Sequence, residues 1–232
     1  MLRLLSWTLS LMCCLLVINC GDAAPIDIVN EAMVEHKFDA ETLKGTSETH
    51  CGVTDGVHPG FSTRQKRFVL EGNSWPNKRI TYTIKQYTTD MSKDDVDREI
   101  AKAFQMWADV ADLTFVHLNE SSTVDIEILF VSAVFDGPGG VLGKSSYPRE
   151  GAFVHFDESE TWTHNSDKET SLFQVATHQF GHTLGLRHSS VRTAVMSPFY
   201  DYSPDLKLDK DDIEGIQALY GKNPLSNSKT KE

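Results

Sequence analysis

His178-Gln179-Phe180-Gly181-His182-Thr183-Leu184-Gly185-Leu186-Arg187-His188 is the stretch from which the rest of the chain is read. Two histidines four residues apart share one face of a helix, about one turn apart, so both imidazoles can reach one metal ion. Gly185, three residues after the second histidine, suits a left-handed turn that ends the helix. The chain can then swing His188 back as a third ligand. Three neutral imidazoles leave a fourth tetrahedral position open to water, the layout of a catalytic zinc rather than a structural one. The competing reading is three surface histidines on an amphipathic helix, but histidines and glycine at these fixed spacings rarely coincide.

One letter is wrong for a peptidase. In the pattern H-E-x-x-H the glutamate is the general base, and here that position is Gln179. A carboxylate can take a proton from water and pass it to a leaving amine, whereas a neutral amide can only hydrogen-bond. The metal ligands are complete and their acid–base partner is replaced.

The motif resembles the extended H-E-x-x-H-x-x-G-x-x-H of the metzincins, which is followed by a Met-turn. Thr193-Ala194-Val195-Met196-Ser197-Pro198 stands where that turn belongs, with Met196 as its methionine. Within the metzincins the surrounding sequence resembles a matrix metalloproteinase from about Cys51 to Lys222. The resemblance implies an α+β fold: a mixed, twisted five-stranded sheet with three helices and a zinc cleft along an edge strand, preceded by a short prodomain. Pro198, Phe199 and Tyr200 resemble the wall of the family's main substrate pocket, and Gln174, one turn before His178, is expected to narrow its base.

With 232 residues, 40% of them hydrophobic, the chain can bury one good core and a small second unit. A net charge of −11 argues against nucleic acid or an anionic membrane as partner. Arg3 followed by the apolar run Leu4 to Ile18 reads as a secretory signal peptide, assigned to residues 1–24. A membrane anchor is the alternative, but the run is short for a span and lacks a strong basic flank. The mature form is therefore expected to be secreted to the extracellular space or matrix, without a membrane span, and monomeric.

Of four cysteines, Cys13, Cys14 and Cys20 lie in or beside the signal, which leaves Cys51 alone. It is either a free or intermolecular thiol or a metal ligand. Thr49-His50-Cys51-Gly52-Val53-Thr54-Asp55 resembles the propeptide cysteine switch P-R-C-G-V-P-D, departing from it at Thr49, His50 and Thr54. A thiolate is a good soft ligand and could hold the fourth zinc position in a zymogen. Arg64-Gln65-Lys66-Arg67 is a solvated basic run or a furin-type convertase site. Its place before Phe68-Val69-Leu70-Glu71-Gly72, which resembles the family's mature N-terminus, favours cleavage between Arg67 and Phe68. Residues 25–67 are then the prodomain, 68–222 the catalytic domain, and 223–232 a polar, lysine-rich tail expected to be disordered, in place of the family's hemopexin domain.

Arg79 to Lys85 alternates and is β-rich, and Leu113 to His117 and Val124 to Phe130 read as two further strands. Around a helix from roughly Lys93 to Asp109 the residues Val96, Ile100, Ala103, Phe104, Trp107 and Val110 recur at helical spacing behind Ser92. Asn119-Glu120-Ser121 is a glycosylation sequon in a loop. Phe135-Asp136-Gly137-Pro138-Gly139-Gly140 is turn-forming. It resembles the family's calcium loop, with Asp136, Asp157, Glu160 and the carbonyls of Gly137, Gly139 and Val141 as the implied hard-oxygen ligands. The family's second zinc site is expected to be lost, because its ligand positions fall on Leu129, Val131 and Lys144 and leave only His155. One zinc and structural calcium are the implied cofactors. A peptide substrate, a convertase and tissue inhibitors of metalloproteinases are the implied partners.

Overall fold

The computed structural model describes residues 49–53, 69–119, 123–149, 151–164 and 166–225. The signal peptide, most of the prodomain, the Arg67–Phe68 junction and the last residues of the tail lie outside them. Along the chain run β1 (His50–Cys51), β2 (Arg79–Gln86), α1 (Lys93–Val110), β3 (Thr114–His117), β4 (Ile126–Val131) and β5 (Val141–Ser145). They are followed by β6 (Ala152–Asp157), β7 (Trp162–Thr163), β8 (Thr170–Ser171), α2 (Leu172–Thr183) and α3 (Lys210–Tyr220).

The strands form a mixed six-stranded sheet of order β1-β5-β6-β4-β2-β3 and a separate β7-β8 pair. Five of the six are the expected sheet, and the sixth, β1, is added by the segment around Cys51. β2, β3, β4 and β6 pair in parallel, while β5 runs antiparallel to β6. Without β1, then, β5 is the sheet's free edge, and β1 lies on it in parallel.

The helices sit where local chemistry starts and stops them. Ser92 caps α1 by accepting from the Asp95 N–H, and Asp94 and Asp95 put negative charge at the helix's positive end. Val96, Ile100, Ala103, Phe104 and Trp107 are fully buried as their spacing requires, whereas Val110, in the last turn, is only partly covered. α3 opens on a reciprocal capping box between Asp209 and Asp212 and ends at Gly221.

The core lies between the sheet and α1 and α2. On β4 every second residue, Ile126, Ile128 and Phe130, is buried against the helices, and Glu127, Leu129 and Val131 alternate onto the half-exposed outer face. The Phe104 and Phe180 rings stack with centroids 3.6 Å apart, and the Trp107 indole donates to the Thr177 carbonyl at 3.0 Å. Burying each such aromatic is worth roughly 1.5–3 kcal/mol. These contacts lock α1 to α2, the helix that carries the first two histidines.

Candidate metal centre

α2 begins at Ser171, whose hydroxyl accepts from the Gln174 N–H. It ends at Gly185, which takes φ +102°, and Gly185 and Leu186 donate back to the His182 and Gly181 carbonyls. That reversal returns the chain so that His188 joins His178 and His182.

The Nε2 of His182 lies 3.1 Å from that of His178 and 3.2 Å from that of His188. His178 Nδ1 is 2.6 Å from the Val195 carbonyl, and His182 Nδ1 is 2.8 Å from the Leu186 carbonyl. A carbonyl only accepts, so both Nδ1 atoms carry the proton and both Nε2 atoms turn bare lone pairs toward each other. Burial holds the His182 pKa below its usual value, with the neighbouring histidines adding to the effect and Cys51 opposing it. Lone pairs this close repel unless a cation lies between them. Zinc–nitrogen bonds of about 2.0–2.1 Å in a tetrahedron separate nitrogens by about 3.3–3.4 Å, so the imidazoles fit zinc.

Cys51 completes the group. All four ligand atoms lie within 4.8 Å of one another, and this is the one such cluster of histidine, cysteine and carboxylate among the described residues. The sulfur is 3.4 Å from His182 Nε2. Burial raises the thiol's pKa, whereas positive charge at the His178 and His182 rings, as protons or as a shared metal ion, draws it well below the usual value and favours the thiolate. Backbone bonds seat the segment: Tyr200 donates to Thr49, His50 to Gly140, Cys51 to Pro198 and Gly52 to Gly143. Asp55 of the switch motif lies outside the described residues.

Met196 sits beneath the metal ligands. A Cβ on Gly181 would fall 2.2 Å from its sulfur, so the helix backbone rests directly on the methionine. The turn is fixed by Asp212, whose carboxylate accepts from the Val195 and Met196 N–H groups and from Asp209. Burial raises the Asp212 pKa while those three bonds oppose the shift. Asp212 carried no signal of this role beyond its place in the α3 cap.

Beside the histidines opens a cavity of about 690 Å³, lined by Gln174, His178, Val195, Pro198 and Tyr200 among others. Gln174 in its lining donates to the Asp201 carbonyl at 2.5 Å and accepts from the Ser203 N–H at 3.0 Å. The Tyr200 hydroxyl accepts from the Ser171 N–H, tying the pocket wall to the start of α2.

The calcium-loop residues are less converged. Glu160 accepts from the Gly139 N–H at 2.6 Å and Asp136 from the Val141 N–H at 3.1 Å. Asp157 accepts from Ser159 through Oδ1, while its Oδ2 is buried without a hydrogen-bond partner. A buried, unpartnered carboxylate oxygen beside a loop of hard-oxygen donors fits a cation, although the three carboxylates do not meet at one point. Asn119 is exposed after β3, and the remainder of its sequon falls outside the described residues. Arg67 and Phe68 fall outside the described residues.

A three-histidine centre on a helix, closed by a glycine turn and floored by a methionine turn, under an α+β sheet defines a metzincin-type zinc domain. Residues 74–221 match the matrixin family, peptidase M10, and the chain belongs to it. It is 44% identical to a hatching enzyme of Paracentrotus lividus over 83% of this chain and 32% of that protein. With an interstitial collagenase of Equus caballus it shares 45% identity over 83% of this chain and 41% of the relative. A stromelysin-3 of Xenopus laevis is 45% identical over 77% of this chain and 41% of its own. The chain thus spans about a third to two-fifths of the length of these curated relatives. Matrixins are zinc enzymes with structural calcium, the two cofactors expected from the sequence.

Proposed function

We propose that this protein is a secreted, matrix-metalloproteinase-like zinc endopeptidase for extracellular matrix or peptide substrates, its turnover weakened by Gln179. The observation that carries this reading is the convergence of three imidazole Nε2 atoms beside a strand edge already occupied by an extended peptide. A substrate would take the place of β1 on β5 and gain main-chain hydrogen bonds before any chemistry. Zinc, when bound, activates water and polarises the scissile carbonyl. The Val195 and Leu186 carbonyls hold the two helix imidazoles in the ligating tautomer. The cavity beside them receives the side chain that follows the scissile bond. Cys51 closes the site in the zymogen, and a convertase cut after Arg67 opens it. A collagenase among the relatives supports a protein substrate. Asp136, Asp157, Glu160 and the loop carbonyls of Gly137, Gly139 and Val141 are the proposed calcium ligands.

A second reading is favoured by Gln179 itself, which offers no basic atom to water. On that reading the domain is a pseudoprotease that binds substrates or tissue inhibitors of metalloproteinases. Turnover of a quenched collagen-like peptide by the zinc-loaded, Arg67-cut chain separates the two. Chelator-sensitive hydrolysis supports the enzyme. Binding without hydrolysis supports the pseudoprotease.

A further inference from the structure

The Gln179 carboxamide is 1% exposed, and its surroundings distinguish its two ends. One end lies 3.2 Å from the Gly143 carbonyl. That oxygen only accepts, so the group facing it is the NH₂. The other end accepts from the Ser145 hydroxyl at 2.7 Å, and the same hydroxyl also reaches the Gln179 backbone carbonyl at 3.2 Å. With the amide fixed in this sense, its second N–H meets the Cys51 sulfur at 3.2 Å. The Val53 N–H reaches that sulfur from the other side at 3.3 Å.

A carboxylate at position 179 would present an anion and only acceptors to a thiolate. The amide presents a donor, and a hydrogen bond to a charged acceptor is among the stronger ones. Gly143 makes room for it: a Cβ there would stand 3.2 Å from the amide carbon and nitrogen. The residue that removes the general base thus adds a sulfur-facing donor.

We propose that Gln179, aligned by Ser145, makes the fourth ligand position a binding site for a thiolate presented by an extended peptide, with residues 49–53 as its resident ligand. The inference rests on the reading of the three histidines as zinc ligands. Gln179 is the ligand-selecting residue, and Ser145 is a positioning residue that acts only through it. Four consecutive backbone contacts from Thr49 to Gly52 hold the peptide in register, and the amide acts on the sulfur alone.

The test uses the full chain kept uncut at Arg67, with cobalt in place of zinc, and reads the thiolate-to-metal charge-transfer band together with the alkylation rate of Cys51. The unaltered protein should show the band and slow alkylation. Gln179→Glu should weaken the band and speed alkylation on the order of 10-fold or more. Ser145→Ala, which frees the amide to rotate, should move both readouts the same way by less. If both variants bind metal and match the unaltered protein in band and rate, the proposal is overturned while the zinc reading stands. If the unaltered protein binds no metal, the zinc reading falls and this proposal with it.

Discussion

Lys144 and His155 face each other across the antiparallel β5–β6 pair, and the Lys144 ammonium donates to the Val134 carbonyl at 2.5 Å. The same ammonium lies 4.9 Å from the centre of the Phe135 ring. Burial, and then the Lys144 charge, push the His155 pKa down. Leu129 pairs with His155 from the other side. A cation on a side chain thus ties β5 to the loop after β4, on the outer sheet face where the family resemblance would put a second zinc. Elemental analysis after dialysis against trace zinc should find one zinc per chain, with calcium. Two tightly held zinc ions would refute this. Lys144→Met should lower stability by about 1 kcal/mol, because the contact is half-exposed.

Tyr220 joins α3 to the end of the metal helix, donating to the Leu184 carbonyl at 2.8 Å and accepting from the Trp75 N–H at 3.1 Å. Burial pushes its pKa up to about 12, against a smaller opposing effect of the Trp75 bond. The unfolded chain ionises this phenol near pH 10, so its contribution is fully present below about pH 10 and is lost as pH rises through about 12. A two-unit shift corresponds to about 2.7 kcal/mol. Tyr220→Phe should therefore be less stable than the unaltered protein at pH 7, with the gap closing between pH 10 and 12. Urea unfolding across that range measures it, and a pH-independent gap would rule the linkage out.

Cleavage between Arg67 and Phe68 should give an N-terminal sequence of F-V-L-E-G and a new ammonium. Val69, Leu70 and Glu71 run along Gly185 to Arg187, joined by the bonds Arg187 to Val69 and Glu71 to Gly185. Two residues further on, Ser189 donates to Asp211 Oδ2 at 2.5 Å, and Asp211 Oδ1 is buried with no partner. Asp212, by contrast, is filled by three backbone donors. Asp211 is therefore the expected partner of the new terminus. Cutting should raise Tm by several degrees, for a gain of about 1.5–3 kcal/mol, and Asp211→Asn should abolish the rise. Intact prodomain from convertase-competent cells, or an equal rise in the variant, would defeat this assignment.

The zinc helix, its end at Gly185 and most of the buried face of α1 were legible in the sequence, because each is a local pattern. The two-residue strands β7 and β8 were not, since two residues carry no periodicity. Nor was the parallel seating of β1, which depends on β5 being the edge of a sheet. The Ser145 bond to Gln179 joins positions 34 apart, and nothing near Ser145 in the sequence announces it. The grip of Asp212 on the Met-turn likewise joins distant positions and needed the fold.

Gln179 decides how fast the site can work. The base position requires a group that accepts a proton and returns it to the departing amine, typically worth about 10²–10⁴-fold, or roughly 3–5 kcal/mol of barrier. Glutamine is nearly isosteric with glutamate, and its amide here is fully engaged by Ser145, Gly143 and Cys51. Near-isostery should let binding of zinc, and of a substrate peptide that brings no thiolate, survive the change in either direction. In the Arg67-cut chain, Gln179→Glu should raise kcat at least ~100-fold with little change in KM. The Ser145 hydroxyl would then donate to one carboxylate oxygen and leave the other facing the reacting centre. Steady-state kinetics on a quenched peptide, with zinc content matched, measure the effect. A revertant that gains nothing would place the defect elsewhere in the cleft. An unaltered protein that already matches its revertant would mean that another group serves as the base.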